Sequence, residues 1–147
     1  MDADACPVKD ELLEVSLTFD IPTTFVASYQ HYSTQSKGTW IYVDPDREAA
    51  DLYIVNHVRS GDLVITQDMG LAGLLTQKAI SVLTPRGKII NEENIMGLLD
   101  QRYLSKKWRE KGHHTKGPKA MTNEDRLRFK QALMEWVGSL NHGDGTL

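Results

Sequence analysis

The stretch Asp62-Leu63-Val64-Ile65-Thr66-Gln67-Asp68-Met69-Gly70-Leu71-Ala72 constrains the fold more than any other part of the chain. Leu63 to Thr66 is an unbroken apolar or β-favouring run. It is too short for a helix and lacks polar alternation, so it predicts a strand buried on both faces. Strands of that kind belong to parallel sheets. The run stops at Gln67-Asp68, and a helical pattern of Leu71, Leu74 and Leu75 follows at once, which puts Asp68 at the carboxyl end of a strand and the start of a helix. That edge is where open α/β sheets bind ligands. Asp2-Ala3-Asp4-Ala5-Cys6-Pro7 has the same strand-end-then-helix character, so two acidic clusters are expected to meet.

The rest of the chain alternates in the same way. Val8, Leu12, Val15 and Phe19 are spaced for an amphipathic helix over 7–19, with Pro7 in its first turn. Thr23 to Ala27 and Thr39 to Val43 read as strands. Between them the polar segment Ser28 to Gly38 is a flap or a substrate-facing loop. Asp44-Pro45-Asp46 opens a helix with Ala50, Ile54, Val55 and Val58 on one side, closed by Gly61. Ile80 to Leu83 is another short strand, ended by Pro85-Arg86-Gly87. A helix from about Asn91 turns Ile95, Leu98, Leu99 and Tyr103 inward. Thr122-Asn123-Glu124-Asp125 resembles a capping box before a last helix that buries Leu127, Leu133, Trp136, Val137 and Leu140. All five prolines fall at joints of this parse. The expectation is one α/β domain over 1–147, its sheet mostly parallel, with a helical extension over 91–140 packed on it.

In a βαβ unit the helix leaves the carboxyl edge of one strand and returns to the amino edge of the next. Asp2, Asp4, Asp44, Asp46, Glu48, Asp51 and Asp68 therefore fall near the carboxyl edge. Asp62 begins the strand that Asp68 ends, roughly 20 Å away at about 3.3 Å per residue, and serves only the turn into that strand. Any single strand-end Asp is most simply a helix cap, and Asp46 is assigned to that role. Clustered carboxylates are another matter, since like charges raise one another's pKa unless a cation intervenes. Hard oxygen ligands without sulfur or imidazole suit Mg²⁺ or Mn²⁺. Asp2, Asp4, Asp51 and Asp68 are the candidate ligands, and phosphodiester hydrolysis is the chemistry such a cation supports.

Charge distribution sharpens this. Residues 102–119 hold seven basic residues and one acid, a charge of +6, which leaves −9 on the remainder of a chain with net charge −3. A basic run is usually a solvated surface, but beside an acidic site it also suits phosphates. Lys9, Arg86, Arg102 and Arg109 are candidate phosphate contacts. The single cysteine, Cys6, excludes an internal disulfide, and the five histidines, the adjacent His113 and His114 included, form no zinc-type spacing. No apolar run approaches the roughly 20 residues of a membrane span, and the N-terminus lacks the character of a signal peptide, so a cytoplasmic protein is expected.

The motifs also carry a resemblance. Asp2-Ala3-Asp4-Ala5-Cys6-Pro7-Val8-Lys9, Ser28-Tyr29-Gln30-His31-Tyr32-Ser33, Ala49-Ala50-Asp51, Gly61 to Asp68 with Gly70-Leu71-Ala72, Pro85-Arg86-Gly87, Glu93-Asn94-Ile95 and Thr115-Lys116-Gly117-Pro118 resemble the YaiI/YqxD family of uncharacterised bacterial proteins along nearly the whole chain. The resemblance implies a PIN-like three-layer αβα fold, a group of metal-dependent ribonucleases. It makes Asp2 the first-strand acid, Asp51 the acid of the middle helix and Asp68 the acid after the Thr-x-Asp strand, with Asp4 as neighbour. Glu48 stands where the family usually has Asp. Where the family has about four apolar residues before the first Asp, this sequence has Met1 alone, so either the start codon was called late or the first strand is a stub and the sheet is weakened there. Three functions follow from these readings: a metal-dependent nuclease on RNA or another phosphodiester, a non-catalytic nucleic-acid-binding module, or a structural metal-binding or partner-interaction protein.

Overall fold

The computed structural model describes residues 1–3, 6–29, 38–46, 48–112 and 120–145, with side chains as far as residue 140. Asp4, the polar loop over 30–37 and the segment 113–119, with His113 and His114, lie outside the described residues.

Strand β1 (Thr24–Ser28) pairs in parallel with β2 (Thr39–Val43), Phe25 opposite Trp40 and Ala27 opposite Tyr42. Strand β3 (Leu63–Ile65) pairs in parallel with β4 (Ser81–Leu83), and β5 (Ile89–Ile90) returns antiparallel on β4. The first three residues join these two pieces. On one side the Val26 amide donates to the Met1 carbonyl and the Ala3 amide to the Val26 carbonyl, both at 2.8 Å, and on the other the Asp2 amide donates to Ile65 O at 2.9 Å. Met1 to Ala3 thus lies between the two pieces, and the order reads β2, β1, Met1–Ala3, β3, β4, β5.

Alternation along the strands divides the core into two slabs. Phe25, Ala27, Ile65 and Leu83 face α1 (Lys9–Phe19) and α5 (Asn123–Gly145), packing with Val8, Leu12, Val15, Phe129, Leu133 and Val137. Val26, Val64 and Val82 face the other way, toward Ile54 of α2 (Ala49–His57), Leu71, Ala72 and Leu75 of α3 (Met69–Gln77) and Ile95 of α4 (Ile95–Glu110). The chain is an α/β domain of three layers with a helical C-terminal part, and β3 is buried on both faces as its composition requires.

Four helical details depart from the sequence pattern. Helix α2 starts at Ala49 rather than in Asp44-Pro45-Asp46, with Glu48 at its N-cap and the Asp46 carbonyl accepting from the Ala49 amide at 3.1 Å. Phe19, in the last turn of α1, is 39% exposed. In α5 the buried seam is Phe129, Leu133 and Val137; Leu127, two residues off that seam and so on the far side of the helix, is exposed, as is Leu140. Tyr103 is 56% exposed because α4, 16 residues and about 24 Å long, outruns the 9 residues, about 14 Å, of α3 on which it packs. Leu99 still meets α3, its Cδ1 lying 3.8 Å from the Cβ position of Gly73, and the helix beyond it projects.

Asp62 sits at the amino edge, where its carboxylate accepts from the Arg59 amide at 2.9 Å and shapes the turn into β3. A cavity of about 520 Å³ opens there, lined by Met1, Thr24, Gly61, Leu63 and Trp136 among others. It lies at the opposite end of β3 from Asp68.

Candidate functional site

The carboxyl edge is organised by Thr66, the residue after β3, which is 1% exposed. Its hydroxyl donates to Asp2 Oδ2 at 2.9 Å and accepts from the Asp68 amide at 3.0 Å. One buried hydroxyl therefore ties the first acid, on the central strand, to the turn that carries the second. Asp68 caps α3: its Oδ1 accepts from Gly70 N at 2.8 Å and Leu71 N at 3.2 Å. The cap fixes one carboxylate oxygen and leaves Oδ2 outside it. Nothing in the string Thr66-Gln67-Asp68 announces the link to Asp2, but a Thr at the end of a buried strand is the type of residue that supplies it.

Asp51 comes from the first turn of α2 and is partly buried. Its pKa is pushed up to about 6, first by burial and then by the negative charges of Asp68, Asp2 and Glu48. Three segments far apart in sequence thus bring acidic groups within electrostatic reach of one carboxyl, and Asp51 is where their fields sum. Among the described residues, no three carboxylate, imidazole or thiol groups stand close enough to form a ready-made metal-binding cluster. The side chains brought toward Asp51 are all carboxylates, a donor set of hard oxygen without sulfur or imidazole. The present spacing is wider than that of a preformed cage.

The candidate phosphate contacts separate into three places. Lys9 opens α1 with its Nζ 5.7 Å from the centroid of the Trp40 ring. Arg86 donates to Asp125 Oδ2 at 2.8 Å and helps to anchor α5. Arg102 and Arg109 lie on the exposed half of α4. Cys6 is buried, and that burial raises its thiol pKa, the opposite of what a reactive thiolate requires.

An α/β domain that gathers carboxylates from its central strand, a crossing helix and a strand-end turn at one sheet edge is the class of protein in view. Comparison names the group within it: the profile described as "Uncharacterized BCR, YaiI/YqxD family" matches residues 1–139, and the chain belongs to that family. Its relatives include a UPF0178 protein of Bacillus cytotoxicus, 50% identical over 133 residues that make up 90% of this chain and 88% of the relative. A UPF0178 protein of Bacillus velezensis is 51% identical over 90% of this chain and 80% of its own. In Listeria monocytogenes the protein Lmo1456 is 46% identical over 93% of both chains. No solved structure matches.

Proposed function

We propose that this protein is a PIN-like, Mg²⁺- or Mn²⁺-dependent nuclease acting on RNA or another phosphodiester in the cytoplasm. Asp2, Asp51 and Asp68 are the catalytic acids and, with Asp4, the residues that would hold the cation. The observation that carries the reading is the placement of Asp51, in the first turn of α2, within electrostatic reach of Asp2 on the central strand and Asp68 at the end of β3, whose hydrogen bonds to Thr66 tie the two together. When bound, the cation supplies positive charge for the phosphoryl oxygens and acidifies a water. The chain's own residues do the rest. Thr66 holds Asp2 in place and the α3 cap holds Asp68, while Asp51, whose proton affinity burial and the neighbouring carboxylates raise when the site is empty, gives up that proton as the cation binds. Lys9, Arg102 and Arg109 contact substrate phosphates.

Purified protein and the Asp51→Asn and Asp68→Asn variants, incubated with RNA and Mn²⁺, test the reading. Cleavage by the parent and loss of at least about a hundredfold in either variant supports it, the size expected of a positioned acid or base. Added Mg²⁺ should also raise the melting temperature of the parent at pH 7 and leave Asp51→Asn unmoved. Equal cleavage by all three, or by none, removes the proposal.

A second reading, a nucleic-acid-binding module without catalysis, is favoured by the commitment of Asp68 Oδ1 to a helix cap. It expects RNA binding that persists without metal and in Asp68→Asn.

A further inference from the structure

Every residue from Gln101 to Gly112 is exposed, although this half of α4 and the turn after it include Tyr103, Leu104 and Trp108. Tyr103 is 56%, Leu104 65% and Trp108 50% exposed. The same segment carries Arg102, Lys106, Lys107, Arg109 and Lys111 against Glu110 alone. Tyr103 and Lys107 are one turn apart, with the Lys107 ammonium 5.2 Å from the Tyr103 ring centroid. Leu104 and Trp108 form the adjoining row, and Lys111 follows Trp108 by three. Lys107 and Lys111 are therefore interleaved with Tyr103, Leu104 and Trp108 on one side of the projecting helix, and Arg102, Lys106 and Arg109 flank that side.

We infer that this half of α4 holds single-stranded nucleic acid, its phosphates against the cations and its unpaired bases against Trp108 and Tyr103. Ring faces beside cations are the combination that grips a strand without requiring a sequence, because every base offers a π face only when it is out of a duplex. A lipid surface would favour segregated apolar and basic faces; here Lys107 sits beside Tyr103 in the same row. A parallel copy packed through this side would set Lys107 and Lys111 against their own like charges. The inference rests on the nucleic-acid part of the function proposed above and not on its metal chemistry.

The test is therefore made in EDTA, with the whole chain, a short fluorescent oligouridylate, a duplex of equal length and vesicles of anionic phospholipid. The parent should bind the single strand at least about tenfold more tightly than the duplex. Trp108→Ala should weaken that binding about tenfold, and Trp108→Phe should keep it within about twofold. Lys107→Ala should lower the salt dependence of binding by about 0.7 in log–log slope, one phosphate contact on a single strand. Matching melting temperatures establish that the exposed substitutions leave the fold intact. The inference fails if Trp108→Ala binds like the parent, if duplex and single strand bind alike, if only vesicles are bound, or if Trp108→Ala dissolves a dimer that binds no oligonucleotide. Single-strand binding by a parent that cleaves no RNA with Mn²⁺ would remove the nuclease reading and leave this one standing.

Discussion

Thr66 is a small residue with a large structural consequence. Its hydroxyl satisfies the Asp68 amide and steadies the Asp2 carboxylate, so Thr66→Val, nearly equal in volume, should leave the core packed but strand both groups. A loss of about 1–3 kcal/mol in urea unfolding is expected, with cleavage reduced further than stability if Asp2 acts as proposed. Asp51 gives a prediction of opposite sign. Its folded pKa of about 6 stands above the value near 3.9 of an unfolded Asp, so between pH 4 and 6 the folded state binds the extra proton and stability falls as pH rises. Asp51→Asn should abolish that slope and stabilise the protein at pH 7. The gain should be about 1 kcal/mol, because solvent screens a partly exposed group. Denaturant melts at pH 4, 5, 6 and 7 decide it. The positions of Asp68 after β3 and of Asp51 in the first turn of α2 were legible, since strand ends and helix starts are local features. The coupling of Asp2 to Asp68 through Thr66 was not, because a hydroxyl's partner across 64 residues leaves no local pattern.

The elements show which local rules survive folding. Thr122 and Asp125 form the reciprocal box suggested by their spacing: the Asp125 amide donates to Thr122 Oγ1 and the Thr122 amide to Asp125 Oδ2, both at 3.1 Å. That amide, with Arg128, the Thr122 hydroxyl and Arg86, holds the Asp125 carboxyl below its ordinary pKa despite its burial. Thr122→Ala should cost about 1 kcal/mol by chemical denaturation, the usual worth of such a cap. Gly87, in the turn between β4 and β5, has φ +89°, and a Cβ there would lie 2.7 Å from the backbone of Arg128. Gly87→Ala should therefore push α5 off the sheet and lower the melting temperature by more than the cap substitution does, since strain and a backbone clash add. Two elements escaped the sequence pattern for physical reasons. Strand β5 has only two residues, too few to show a period, and α4 keeps apolar residues past the point where α3 ends.

Across the whole molecule the decisive feature is the three-residue strand between β1 and β3. Its backbone hydrogen bonds join a two-stranded and a three-stranded sheet. Ala3→Pro removes the donor to Val26 and should uncouple the halves, seen as early loss of amide protection at Val26 and Asp2 in hydrogen exchange and a broadened unfolding transition. Composition and spacing by themselves determined the alternating α/β plan, the doubly buried β3, the capping box and the placing of Asp2, Asp51 and Asp68 at one edge, because short-range periodicity and strand direction are properties of a few consecutive residues. Only the tertiary structure decided that Thr66 binds Asp2, that Arg86 serves Asp125, and that Tyr103 and Trp108 face outward. Each of these depends on where a distant element happens to end, and no neighbouring residue encodes that.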